Sequence, residues 1–195
     1  MVPDPRTLFH AALDAPFAGS SDFDLNPEVV LPEQRVLRPA AVLVAYQMRA
    51  KKPYLLLTKR SLTLKHHPGQ IAFPGGQRDK MDTELTHTAL REAHEEIGLP
   101  PNKVDLLGQL PPHETVTGFN VTPVLGRIKA DFVAVPEPGE VAEVFCVPLA
   151  HVTEPTNFVV QSRRWRGQRR YYYTVPYGPY YIWGATARIL RRLIA

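Results

Sequence analysis

Arg91-Glu92-Ala93-His94-Glu95-Glu96-Ile97-Gly98-Leu99 puts three carboxylates within five positions, fifteen residues after the pair Gly75-Gly76. On a helix, Glu92 and Glu96 stand one turn apart and Glu95 lies beside them. Acids this close repel one another unless a cation sits between them. A hard, oxygen-seeking ion such as Mg²⁺ or Mn²⁺ is the natural partner. Arg91, four residues before Glu95, can offset one more charge through a bidentate contact. At about 100° per residue, Ala89, Leu90, Ala93 and Ile97 gather on one side of the helix, with Glu92 and Glu96 at the border and Glu95 further round. The acids should therefore project from the edge of a buried face towards a cleft. Asp82 is placed as the N-cap, Gly98 as the residue that ends the helix, and Pro100-Pro101 as the stop. The competing reading is a solvated acidic face, which is common on helices.

The surroundings of this helix separate the two readings. Residues 91–99 fit an Arg-Glu-apolar-x-Glu-Glu-x-Gly-apolar pattern, and residues 56–76 read LLTKRSLTLKHHPGQIAFPGG, followed by Asp79 and Asp82. The first pattern resembles the core of the Nudix box. The second is similar to the segment that leads into that box in the coenzyme A pyrophosphatase branch of the Nudix hydrolases. Downstream, Pro111-Pro112, Thr117-Gly118-Phe119, Val121-Thr122-Pro123-Val124, Glu140-Val141, Phe145, Pro148-Leu149 and Ile182-Trp183-Gly184-Ala185-Thr186-Ala187 continue the resemblance over residues 37–194. One departure stands out: Gly76 and Arg91 are one residue further apart than in the general box. The position separated from Arg91 by seven residues is Thr83, flanked by Asp82 and Glu84. The coenzyme A branch varies in the same way, so no role is carried over for the general box's first glutamate.

Composition agrees with one enzyme domain. The chain has 195 residues, 44% of them hydrophobic and 22% charged, enough for a sizeable core and unlike a disordered chain. The longest apolar run, around Ala40 to Tyr46, is too short to span a bilayer, and the first residues do not resemble a signal peptide. The single cysteine, Cys146, rules out an internal disulfide and reads as a buried, inert thiol. A reducing cytoplasm is the expected compartment. No membrane or nucleic-acid partner is expected, and a monomer and a homodimer are both open.

The net charge of +4 is unevenly spread, because Arg163, Arg164, Arg166, Arg169 and Arg170 crowd around Trp165 and Gly167. Three readings compete: a solvated hairpin tip, a nucleic-acid patch, and a surface facing a polyanionic small molecule.

Organisation follows from the patterning. Residues 1–36 read as an appendage, with a short helix over Arg6–Leu13 and a loop over Gly19–Pro32, packed on or leading into a body at 37–195. Strands are expected over Ala40–Tyr46, Tyr54–Lys59, Gln70–Phe73, Val104–Leu110, Val121–Ile128, Glu143–Val147, Phe158–Trp165 and Arg169–Val175, and a closing helix over Ala185–Ile194. Strands interleaved with two main helices give an α/β fold with a mixed sheet between helices. The Nudix resemblance implies that this is an α/β/α sandwich.

The resemblance also implies an activity, the metal-dependent hydrolysis of the diphosphate of coenzyme A and its derivatives. Glu92 and Glu96 are then expected to hold Mg²⁺ or Mn²⁺, with Glu95 as a third ligand or water-positioning group and the carbonyl near Gly76 as a further ligand. Arg91 orients a carboxylate. The base is expected on a later loop, with Glu140 preferred and Glu114 as the alternative. Lys59, Arg60 and Lys65, together with His66, His67 and the turn at Gly75-Gly76, are expected at the phosphates or the nucleotide. Tyr171, Tyr172, Tyr173, Tyr177, Tyr180 and Tyr181 offer a stacking surface or simple hairpin packing. Two alternatives stand beside this reading. One is the same chemistry on NADH or ADP-ribose. The other is a nucleotide-sensing or RNA-associated Nudix domain without turnover, which would have no need to assemble three glutamates.

Overall fold

Residues 41–46, Ala-Val-Leu-Val-Ala-Tyr, have almost no polar side chain to present to water, so a strand made from them must be covered on both faces. The computed structural model describes residues 4–16, 18–32, 34–165 and 167–194, with Trp165 described by its backbone alone. In chain order its elements are α1 (Pro5–Asp14), β1 (Ser20–Ser21), β2 (Arg38–Arg49), β3 (Lys52–Arg60), β4 (Ile71–Ala72), β5 (Gly75–Gln77), α2 (Leu85–Ile97), β6 (Val104–Gln109), β7 (His113–Glu114), β8 (Phe119–Ile128), β9 (Val141–Pro148), α3 (Leu149–Val152), β10 (Val159–Trp165), β11 (Gln168–Thr174) and α4 (Gly184–Arg191).

β2 runs parallel to β8 and antiparallel to β3, and β9 extends the sheet beyond β3, so the sheet is mixed. Its strands alternate between two cores. Ala41, Leu43, Ala45 and Leu56 face Ala89, Ala93 and Ile97 of α2. Val44, Tyr46, Leu55 and Leu57 belong to the opposite cluster, with Phe9 and Ala12 of α1 and Ile189 and Leu190 of α4. Helices thus cover both faces, the α/β/α sandwich expected from the sequence. A period of two along each strand sends neighbouring residues to different cores.

The N-terminal stretch is tied in by polar contacts. His113 is fully buried, with Ser20 Oγ 3.0 Å from Nδ1 and Asp22 Oδ1 3.2 Å from Nε2. Asn26, also fully buried, bonds both backbone groups of Tyr171, accepting at 2.8 Å and donating at 3.0 Å. Arg188 of α4 pairs with Asp24 at 2.5 Å. Residues 20–21, expected as loop, are therefore a short strand parallel to β7, because a buried histidine needs partners for both ring nitrogens.

Two other expectations change. Asp82 is not the N-cap of α2, which begins after Glu84. The strand expected over Gln70–Phe73 is the shorter β4, and after Pro74 a second short strand, β5, opens at Gly75. Gly98 closes α2 in the left-handed conformation, at φ 68°, as expected. Among the described residues, no helix is long and apolar enough to cross a membrane.

Candidate active site

The acidic helix meets the glycine pair because of what glycine lacks. Gly75 and Gly76 pair with Val42 and Ala41 at the edge of β2. A Cβ on Gly75 would lie 2.3 Å from the Ala41 carbonyl oxygen, and one on Gly76 would lie 2.5 Å from the carboxyl carbon of Glu92. Only bare backbone fits between β2 and α2 at this point. The Gly75 N–H donates to Glu96 Oε2 at 3.1 Å. Both glycines named from the sequence therefore touch an acid of α2 directly.

Glu96 is 3% exposed. Burial pushes its carboxyl up to about 8; the Glu92 and Glu140 charges add to the rise, while the Gly75 N–H and Arg60 oppose it. Glu92, one turn earlier, is also raised by burial, with Glu95 and Glu140 pushing the same way and Arg91 opposing. Two desolvated carboxylates on one helix face, each feeling the charge of a third acid, form a donor set short of positive charge. Oxygen donors of this kind fit a hard divalent cation. Among the described residues, no three His, Cys, Asp or Glu side chains converge as a ready-made cage. The acids that meet the Gly75 and Gly76 backbone are Glu96 and Glu92.

Arg91 is the hub of a network that sequence reading caught only in part. Its expected contact with Glu95 is present at 2.8 Å, and the same Nη1 lies 2.9 Å from Glu92 Oε1. The stronger grip is on Asp82, through Nε at 3.1 Å and Nη2 at 2.9 Å. Asp82 is buried and also accepts from the Asp79 N–H and the Thr88 hydroxyl, both at 2.9 Å. The guanidinium holds the Asp82 carboxyl far below the usual carboxylate range, and Asp82 in turn raises Arg91. Asp82 gives up the helix N-terminus because a bidentate, fully satisfied bond to a guanidinium is stronger than an N-cap. The clue in the sequence was the departure at Thr83: with no acid at that position, the carboxylate just before it meets the arginine. Glu95 shares the Arg91 Nη1 with Glu92, and its side chain is 60% exposed.

The remaining candidates divide. Glu140 lies on the turn before β9, exposed, close enough for its charge to raise both Glu92 and Glu96. Glu114 instead forms an ion pair with Arg35, at the end of the sheet where β1 joins β7. Arg60 sits where its charge stabilises ionised Glu96. Lys65 and His66 are exposed on the loop between β3 and β4.

Lys59 and His67 line a cleft of about 460 Å³, together with Gln70, Ile71, Arg163, Tyr180, Tyr181 and Trp183. Among the described residues of the arginine-rich segment, Arg163 reaches it. Arg164 and Arg169 are exposed on the hairpin, Arg170 lies over Phe23 with Cζ 4.9 Å from the ring centre, and Arg166 is outside the described residues. Tyr171, Tyr172 and Tyr173 line a second, smaller pocket with Asp22 and Arg188, and Tyr172 also meets Trp183 edge-on. Cys146 is half-buried, and burial pushes its thiol up, as expected of an inert cysteine.

Known proteins share this architecture. A family model described as "NUDIX domain" matches residues 36–167. A protein named "Uncharacterized Nudix hydrolase NudL" from Enterobacter sp. (strain 638) is 44% identical over 156 residues, which is 80% of this chain and 81% of that one. Its namesake from Cronobacter sakazakii (strain ATCC BAA-894) is 46% identical with the same coverage. Among solved structures, the Nudix hydrolase RenU from M. smegmatis superposes with a TM-score of 0.51 at 25% identity, covering 62% of this chain and 83% of that one. A MutT/nudix family protein from Enterococcus faecalis gives a TM-score of 0.53 at 15% identity over 86% of this chain and 64% of its own, a likeness of fold alone. With its acidic helix folded against the glycine pair and these relatives beside it, the chain belongs to the Nudix family and is a Nudix hydrolase, an enzyme that splits a phosphorus anhydride with water.

Proposed function

We propose that the enzyme hydrolyses the diphosphate of coenzyme A and its acyl derivatives, giving 3′,5′-ADP and 4′-phosphopantetheine or its acyl form. The observation that carries this reading is the segment 56–76. Its residues run from the cationic edge of β3 at Lys59 and Arg60, past the cleft wall at His67 to Ile71, to the Gly75 and Gly76 backbone under the acids. One stretch of chain thus supplies positive charge for phosphates, a wall for the rest of the molecule and the seat of the catalytic carboxylates.

Glu92 and Glu96 are the ligands for a divalent cation, Mg²⁺ or Mn²⁺, with the carbonyl near Gly76 and the Glu95 carboxylate as further donors. When bound, such an ion neutralises diphosphate oxygens and lowers the pKa of a water. Arg91 is a positioning residue: clamped by Asp82, it fixes the direction of Glu92 and keeps Glu95 beside the site. Glu140 is the base that takes the proton of the attacking water. The water oxygen bonds to one phosphorus, the bridging P–O bond breaks, and its electron pair leaves on the oxygen of the other phosphate. Lys59 and Arg60, with Lys65 on the adjoining loop, offset charge on the substrate. The chain works in a reducing cytoplasm on this small molecule.

Product chromatography with CoA, NADH and ADP-ribose at matched concentrations tests the proposal. It expects 3′,5′-ADP and 4′-phosphopantetheine, without inorganic phosphate, and the highest kcat/KM on CoA. A higher kcat/KM on NADH or ADP-ribose would overturn the substrate while leaving the family standing.

A further inference from the structure

The cleft beside the acids has a composition that needs explaining. Among the described residues that line it, the cationic side chains are Lys59 and Arg163, with His67 beside them, and none is an aspartate or glutamate. One wall is aromatic. Trp183 meets Tyr172 edge-on at 5.1 Å between ring centres and Tyr181 at 6.5 Å, so the indole is held from two sides. Tyr180 stacks on Phe145 at 3.6 Å and donates its hydroxyl to Glu143, which fixes the adjoining wall. Tyr181 remains 45% exposed. The residues from Pro179 to Trp183 lie beyond the span 36–167 matched by the family model.

Arg163 is held at this wall, its Cζ 4.5 Å from the centre of the Trp183 ring. A guanidinium resting on an indole keeps its edge N–H groups free to point along the ring plane, where they can meet a phosphate ester bidentately. The hairpin that carries it is built at a cost. Arg163 stands opposite Arg170, and Arg164 opposite Arg169. Like charges directly across an antiparallel pair are destabilising, and an anion in the cleft would offset the charge of Arg163, the one of these four that lines it.

Distance connects the cleft to the acids. Ile71 lines the cleft, and Gly75, four residues on, donates to Glu96. Four residues of extended chain reach at most about 14 Å, a gap that a nucleotide and its diphosphate can bridge. The cleft volume, about 460 Å³, is within the ordinary range for small-molecule sites.

Building on the diphosphate-hydrolase reading above, we propose that this cleft is the subsite for the nucleotide end of the substrate. The base lies against Tyr181 and Trp183, and Arg163 is the residue that selects a phosphate on the ribose. An uncharged, flexible arm would have no use for two fixed cations, whereas a planar base carrying an extra phosphate uses both the charge and the ring faces.

The test is equilibrium binding, which needs neither turnover nor metal. Isothermal titration calorimetry in EDTA would compare 3′,5′-ADP and 5′-AMP on the wild type, Arg163→Ala and Arg169→Ala. Both substitutions fall on exposed hairpin positions, and circular dichroism would confirm that each variant is folded. The wild type should bind 3′,5′-ADP about tenfold more tightly than 5′-AMP. Arg163→Ala should lose about that factor for 3′,5′-ADP and change little for 5′-AMP, while Arg169→Ala should bind both as the wild type does. Three results would each overturn the proposal: no wild-type preference for 3′,5′-ADP, an unchanged Arg163→Ala, or equal losses in the two variants. Failure of the coenzyme A reading would show separately, in the product panel with NADH and ADP-ribose.

Discussion

Replacing Glu96 by Gln should stabilise the metal-free protein at alkaline pH while removing its activity. The Glu96 carboxyl, ordinarily at 4.5, is pushed up to about 8 in the folded chain, chiefly by burial. At about 1.4 kcal/mol per tenfold change in proton affinity, holding it ionised in the fold costs up to about 5 kcal/mol. The sign follows from which state binds the proton more tightly. Below the unfolded value both states are protonated and the penalty is absent. Between 4.5 and about 8 the folded chain keeps a proton that the unfolded chain gives up, so stability falls as pH rises. Glutamine has the same shape and can still accept from the Gly75 N–H, but it buries an NH₂ that needs a partner, at a cost of about 1–3 kcal/mol. The net gain at pH 8.5 is therefore on the order of 2–4 kcal/mol, shrinking towards or below zero at pH 4.5. Urea unfolding in EDTA at the two pH values measures it. Added Mg²⁺ should then stabilise the wild type and leave the variant unmoved. Equal stability of the two proteins at pH 8.5 in EDTA would refute the account of Glu96 as a desolvated, cation-seeking carboxylate.

Other consequences follow from the same geometry. Glu92→Gln and Glu96→Gln should each lower kcat by more than tenfold, about 1.4 kcal/mol of barrier, in steady-state hydrolysis. Glu95→Gln should lower kcat yet leave the metal-free unfolding midpoint unchanged, because that side chain is 60% exposed; a large stability loss would contradict the placement. Asp82→Asn removes the two-point grip on Arg91, which keeps Glu92 and Glu95 as partners, and should cost about 1–3 kcal/mol near neutral pH. The Asp82 contribution, from a carboxyl held below its ordinary 3.8, is present above that value and disappears as acid protonates the folded state. Wild type and variant should therefore converge in strong acid, as denaturant titrations at descending pH would show. Gly76→Ala would put a methyl group 2.5 Å from the Glu92 carboxyl carbon, so activity should collapse even where circular dichroism still reports a folded chain.

What was legible in the sequence was whatever repeats with a period. The burial of β2 is written in six consecutive apolar residues, and the acid spacing of α2 in the helical turn, so a mixed sheet between helices and the Glu92/Glu96 pair could be read from patterning, while the α/β/α sandwich came from the Nudix resemblance. Short strands carry no such signal. β1, β5 and β7 are two or three residues long, and each exists because of a partner far away in the chain. Ser20 is a strand residue because His113 needs a partner for its ring, and Gly75 is one because the backbone of Ala41 and Val42 leaves no room for a side chain. Asp82 shows the same limit at the site itself. Its local context, ahead of a helix, says N-cap, and the bond that decides its place comes from Arg91, in the second turn of that helix. Propensity weighs each residue against its neighbours in sequence. A buried charge is settled by whichever opposite charge can reach it with both oxygens, and that depends on the fold. The arginine-rich segment makes the point from the opposite side. Five arginines look alike in the sequence, but the hairpin register and the position of Trp183 bring Arg163 to a cleft and leave Arg164 and Arg169 facing water. Function in such a cluster therefore has to be tested one arginine at a time.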